Sequence, residues 1–330
     1  MTIQTAPSIK YNSKSFFHYP APREDLKLSA KKQLEKLSKN RSLSTRDRQI
    51  LLALNDTGIL TRNQIQQLFF PSPNTARRKL KTMYENHLLD CGSDDWFMHI
   101  KDTIDRTNQQ ILIKGTPTDD YGLVKSFTYT PALTGRHLIS LETHTPLQDI
   151  NFDADRYTAF YYTQITLHDL WISEAYVKFR LALEKLNLPF TWSNEKQSII
   201  HDLNETQKEI VRPDASFITE FSLQPGQPTF QSAKFIEMDR GSTQWENKVS
   251  MYNIAFDEGN WKRAYAHFPY VLCVVPHRLY EKAIQSIQVN LDSVEFCVTS
   301  WSDFLNDPLS WFSVNSGESI SIIPPYYFKA

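Results

Sequence analysis

The sequence predicts an α/β protein in two parts: three short helices, then a mixed sheet with helices on its faces. Three observations predict it. Residues 44–88 carry helix caps and apolar spacings of helical period. Beyond residue 166, apolar runs of strand length alternate with helical patterns. The charge is also split between the two parts: residues 1–90 hold 16 Lys and Arg against 7 Asp and Glu, leaving 20 against 30 for the rest. The net charge of −1 thus hides a basic front on an acidic body, as expected where the front meets a polyanion.

The chain of 330 residues is long enough for two domains, and its 41% hydrophobic content is ordinary for a folded protein. No apolar run approaches the roughly 18 residues of a membrane span. The start, MTIQTAPSIKYNSKS, lacks the apolar core of a secretory signal. Cys91, Cys273 and Cys297 are widely spaced and form no CxxC. That pattern argues against a disulfide framework and structural zinc, and for a reducing, cytoplasmic setting. The nine histidines form no HxH or HxxxH pair.

Residues 1–43 read as a flexible basic arm that includes a short helix candidate, KLSAKKQLEKLSKNR. Ser44-Thr45-Arg46-Asp47 is a capping-box start, Ile50, Leu51 and Leu54 form one apolar face, and Gly58 is a stop. Thr61-Arg62-Asn63-Gln64 opens a second helix with Ile65, Leu68 and Phe69, closed by Pro71. Ser72 caps a third, with Pro73 at its first position, running to about Leu88. Steps of 100° put Ala76, Leu80 and Met83 on one face, with Asn74, Arg78 and Lys81 opposite and Arg77 and Lys79 on the flanks. A polar first turn (Asn74, Thr75) ahead of Arg77, Arg78 and Lys81 suits a helix lying in the major groove of double-stranded DNA. IDRTNQQILIKG and LVKSFTYTPALTG then read as the strands of a wing. Residues 44–139 are therefore expected to be a winged helix-turn-helix domain; tri-helical units with a hairpin also serve as protein-interaction modules.

Residues 140–166 show no clean period and read as a linker. The second domain, 167–330, opens with a helix over 167–187 whose stripe is Leu170, Trp171, Ala175, Phe179 and Ala182. Strand-like segments follow around 190–202, 208–222 and 230–239, then a helix over 243–257. PYVLCVVP (269–276) reads as a buried strand, a helix runs through Ile284, and VEFCVTS (294–300) is another strand. A meander followed by a βαβ ending makes a mixed sheet.

IVRPDASFITEF (210–221) and KFIEMDRG (234–241) place Asp214, Glu237 and Asp239 at strand borders. Residues two apart on a strand share a face, so Glu237 and Asp239 point together and Asp214 completes an oxygen cluster. Such a cluster suits Mg²⁺ or Mn²⁺, which polarises a phosphodiester and lowers the pKa of an attacking water. The same residues also suit a structural network, with Glu237 and Asp239 facing Arg240 and Arg212.

The arrangement resembles the PD-(D/E)xK nuclease core, with Pro213-Asp214 as the PD and Glu237 as the second acid. The position of the usual Lys is Asp239; Lys248 on the next helix, or Lys196 beside Glu195, would replace it. STRDRQILLALNDTGILTRNQIQQLFFPSPNTARRKL, then RPDA, FIEMDRGS, Lys248 and Tyr252, together resemble the replication-relaxation family over residues 44–300. That resemblance implies a restriction-endonuclease-like mixed sheet flanked by helices behind the winged helix. It also implies a DNA relaxase or nickase of a mobile genetic element, similar to C-class conjugative relaxases. The site residues it implies are Asp214, Glu237, Asp239 and Lys248, with Glu195 and Arg212 in support. Its partners would be an origin of transfer or replication, relaxosome accessory proteins and a coupling protein. A non-catalytic accessory factor, a transcriptional repressor and a restriction-type nuclease are the alternatives.

Overall fold

A computed structural model describes residues 24–39, 43–91, 127–147, 150, 163–205, 207–222 and 229–323. The expected strand IDRTNQQILIKG lies outside them. Among the described residues, helices α1 (Glu24–Lys39), α2 (Thr45–Thr57), α3 (Arg62–Phe69) and α4 (Pro73–Glu85) come first. Caps explain three of the starts. Ser44 and Asp47 bond reciprocally, as do Thr61 and Gln64, and the Ser72 side chain accepts from the Thr75 amide. Gly58, at φ 78°, ends α2 in a backbone region where a Cβ would be strained. The expected face of α4 is buried as Ala76, Leu80 and Met83.

β1 (Leu60–Thr61) and β2 (Leu89–Cys91) pair antiparallel with a central β3 (Thr128–Pro131). The segment after β3 corrects the sequence reading. Instead of ending a wing strand at Gly135 and entering a linker, the chain forms helix α5 (Leu133–Thr143). Thr134 and Gly135 are weak helix formers, but a glycine is needed there: a Cβ would lie 2.1 Å from the Leu88 carbonyl oxygen. α1 packs against α5 with Ala30, Leu34 and Leu37 buried, so the helix in the basic arm is a docked element. Its Lys31, Lys32, Lys36 and Lys39 stay exposed.

The long helix α6 (Thr163–Lys185) starts earlier than expected and is buried nearly all round from Asp169 to Val177. One side covers a sheet; the other meets the N-terminal helices. There Ser173 donates to the Ile59 carbonyl at 2.6 Å, and Gln64 Nε2 donates to Glu174 at 2.9 Å. Burying these polar groups costs little because each is bonded.

The sheet is mixed and seven-stranded. Its strands are β4 (Phe190–Asn194), β7 (Ala215–Ser222), β8 (Thr229–Met238), β9 (Tyr270–Val275), β10 (Phe296–Ser300), β11 (Ser310–Ser313) and β12 (Glu318–Ser321), adjacent in that order. β8, β9 and β10 are parallel, joined through helices α7 (Trp245–Glu258) and α8 (Tyr280–Val289); the flanking pairs are antiparallel. β5 (Ile200–His201) and β6 (Glu209–Val211) form their own ribbon. They divide the two strand-like segments that the sequence reads as continuous. A helix α9 (Trp301–Asn306) and strands β11 and β12 extend the fold beyond the last element read from sequence.

Alternation decides the two faces. Ile236, Met238, Leu272, Val274 and Cys297 pack in the layer with α6, whereas Phe235, Val271, Cys273, Phe296 and Val298 pack with α7 and α8. Among the described residues, no helix is long and apolar enough to cross a membrane.

Candidate functional site

The acids that frame β7 and β8 meet where their ladder ends. Ala215 lies opposite Ile236, and Asp214 precedes that pair by one residue. Pro213 has no N–H with which to continue a ladder. The Asp214 carboxylate takes over: its backbone N–H donates to the Ile236 carbonyl at 3.1 Å, and its Oδ2 accepts from the Met238 N–H at 2.7 Å. Two residues of sequence thus place a charge at a fixed point on the sheet rim.

Glu237 is 4% exposed, on the face toward α7. Its Oε1 accepts from the Tyr252 hydroxyl at 2.5 Å, and its Oε2 lies 2.9 Å from Lys248 Nζ. Lys248 and Tyr252 are one helical turn apart, so one face of α7 supplies both. Lys248 Nζ also donates to the Arg212 carbonyl at 3.4 Å. His168 of α6 completes the group, with Nε2 3.3 Å from Asp214 Oδ2 and 3.2 Å from the Met238 carbonyl.

The electrostatics follow from burial set against these partners. Burial pushes the Glu237 carboxyl up and the Asp214 charge adds to it, so that it titrates at about 7 despite Lys248 and Tyr252. Burial pushes Asp214 up too, but His168, Lys248 and the Met238 amide outweigh it and hold the carboxyl below its ordinary value. Burial would lower His168; Asp214 reverses this and raises it to about 9. The imidazole is therefore protonated at neutral pH and donates from Nε2. Lys248 is likewise held charged by Glu237 and Asp214 against the effect of burial. Tyr252, fully buried, is pushed well above its ordinary value and stays a donor.

Asp239 has another duty. Its Oδ1 accepts from the backbone amides of Gly241, Ser242 and Thr243 at 2.6, 3.1 and 3.2 Å, organising the turn into α7. Glu195 and Arg212 face each other, with their side chains in an ion pair. Arg212 is exposed, with Nε 3.0 Å from Glu209 and NH1 3.5 Å from Glu195. Lys196 is exposed on the neighbouring 3₁₀ turn.

On α4, Asn74, Arg77, Arg78 and Lys81 are exposed, and Thr75 is half-buried beside Ser72. Lys81 has an exposed partner, Glu85, at 3.7 Å, a contact of little strength. Lys79 is engaged instead, bonded to the buried Asp47 at 2.8 Å.

Among the described residues, no group of three His, Cys, Asp or Glu side chains is placed to hold a metal ion. The donor pair Asp214 and Glu237 nevertheless fits Mg²⁺ or Mn²⁺, since Mg²⁺ commonly takes one or two carboxylates and completes its shell with phosphate and water oxygens. Burial, with the Asp214 charge added to it, lifts Glu237 to about 7, and a cation would offset both.

In the sequence His168, at a helix start, reads as a cap or packing residue rather than a ligand. No local signal marks it, because only the approach of α6 to the β7–β8 rim brings it to Asp214. The chain matches no protein-family model, no curated protein and no solved structure.

Proposed function

We propose that the chain is a DNA-processing protein of a mobile element. In this reading α2–α4 and β1–β3 act as a winged helix and the seven-stranded unit as a PD-(D/E)xK-like nickase of relaxase type. One observation carries it: Asp214, Glu237 and Lys248 converge from two adjacent strands and the following helix. Asp214 and Glu237 would hold a divalent cation, which polarises the scissile phosphodiester and supplies an activated water. Tyr252 and the Met238 amide fix the two carboxylates in direction. Lys248 stands where it can meet the negative charge that grows on the phosphoryl oxygens. This is the role left open by Asp239.

A second reading has an observation of its own. Each acid already has a built-in cation, Asp214 with His168 and Glu237 with Lys248, as in a non-catalytic accessory factor or repressor on a degenerate nuclease fold. Supercoiled-plasmid nicking with the element's own DNA decides between them. Chelator-sensitive nicking supports the enzyme; site binding without nicking in any divalent metal supports the factor.

The exposed basic face of α4 leads to a binding prediction. Replacing Arg77, Arg78 and Lys81 together by Ala should weaken duplex binding and flatten its salt dependence by up to about three phosphate contacts. An unchanged salt slope in fluorescence anisotropy would remove α4 from the interface.

The product should carry free ends. Tyr252, hydrogen-bonded to Glu237, is buried and held protonated; Tyr161-Tyr162 and Tyr326-Tyr327 lie outside the described residues. Denaturing gels run with and without protease test this. A protease-sensitive mobility shift would show a tyrosine–DNA bond and defeat the hydrolytic reading.

A further inference from the structure

A cleft of about 600 Å³ opens at the other end of α7, where β8 and β9 begin. Gln231, Trp261, Tyr265, Phe268, Tyr270 and Glu295 line it. Its walls are flat rings in mutual contact: Trp261 and Phe268 lie 5.3 Å apart edge to face, and Phe256 stacks on Trp261 at 5.9 Å. At its mouth Phe230 and Tyr270 are 48% and 42% exposed, an unusual cost for two large aromatic residues on one rim.

The sequence beside the cleft is uneven in charge, although Glu295 lines the cleft and Glu220 accepts from Gln231 at 2.8 Å. No Asp or Glu occurs between Glu258 and Glu281, although this half of the chain is acidic. That acid-free run contains WKRAYAHF, in which buried or half-buried Trp261, Tyr265 and Phe268 alternate with exposed Lys262, Arg263 and His267. Lys262 Nζ sits 5.3 Å from the centre of the Trp261 ring. Glu295, held by Ser313 at 2.5 Å, and Gln231 add polar groups to the cleft. An aliphatic peptide would call for none of these features.

We propose that the cleft binds an unpaired nucleobase of single-stranded DNA, with the adjoining phosphates on Lys262 and Arg263. Aromatic faces stack bases of any sequence, and basic side chains track the backbone. The inference rests on the DNA-processing reading and names its substrate as a strand that is locally unpaired. From Lys248 to Phe256 the helix rises about 12 Å, so the cleft lies a few nucleotides from the acid pair.

The test uses the full chain without metal and a labelled single strand of about eight nucleotides, read by anisotropy. It is run in an Arg77→Ala/Arg78→Ala background to silence α4. Tyr270→Ala and Phe230→Ala, both at exposed positions, should each weaken binding about tenfold. Lys262→Glu with Arg263→Glu should weaken it and flatten its salt dependence. Affinity unchanged in all of these variants overturns the proposal. So does a change of oligomeric state in the aromatic variants without loss of binding, which would make the rim a self-association face. Tyr270-dependent binding by a chain that never nicks plasmid leaves the cleft standing and removes the nuclease reading. Nicking by a chain whose strand binding ignores Tyr270, Phe230 and Lys262 does the reverse.

Discussion

Asp214→Asn is expected to abolish metal-dependent nicking, with a loss of at least about a thousandfold, while duplex binding persists. Asparagine is the informative change because its amide oxygen still accepts from the Met238 N–H, the bond that ends the β7–β8 ladder. Alanine would remove that acceptor and take away the carboxylate beside His168, costing about 1–3 kcal/mol of stability and confusing the result. Glu237→Gln should behave alike, since it keeps an acceptor for Tyr252 and removes the charge. Lys248→Ala should lose far more activity than Lys196→Ala, because only Lys248 reaches an acid of the pair. Nicking should also rise as pH passes about 7, where Glu237 gives up the proton that competes with a metal. Activity retained in both isosteric variants would show that the acids are structural.

The second large effect concerns stability. Lys234 is 1% exposed in the layer between the sheet and α6, and among the described residues its Nζ has only neutral partners at hydrogen-bond distance. These are Ser232 Oγ at 2.7 Å, the Ser232 carbonyl at 3.3 Å and Thr219 Oγ1 at 3.4 Å, with the Phe217 ring 5.6 Å away. Burial lowers its ammonium to about 7 from 10.5. The folded state therefore binds fewer protons than the unfolded state between those two values. Stability should rise with pH across that window, and the cost of the buried charge is fully present below about 7. Lys234→Met should stabilise the protein at pH 6–7 by about 2–4 kcal/mol, a gain that shrinks toward pH 10. Urea unfolding at pH 6 and pH 9 measures both arms. A destabilised variant, or a gain independent of pH, would mean that the hydrogen bonds of the amine outweigh its desolvation.

What was legible in the sequence was local. The caps at Ser44, Thr61 and Ser72 and the buried face of α4 need only neighbouring residues to be recognised. The acids at 214 and 237 were legible for the same reason, since strand ends and alternation place them. Helix α5 was not, because Thr134 and Gly135 oppose its propensity and only the approach of Leu88 explains them. Strands β11 and β12 are short and serine-rich, with order that comes from pairing of β11 to β10 and of β12 to β11. The role of His168 depends on a contact between elements distant in sequence.

Helix α6 has a further consequence. Its sheet side and its opposite side belong to one continuous apolar layer, reaching from Ile50 and Leu54 of α2 through Phe179 to Trp311 of β11. A polypeptide divided between residues 144 and 162 would strip one half of its cover and leave Gln64, Ser173 and Glu174 facing water instead of each other's segments. The N-terminal helices and the seven-stranded unit should therefore share a single melting event, and neither should be obtainable as a well-behaved isolated fragment cut at the boundary that composition alone suggests.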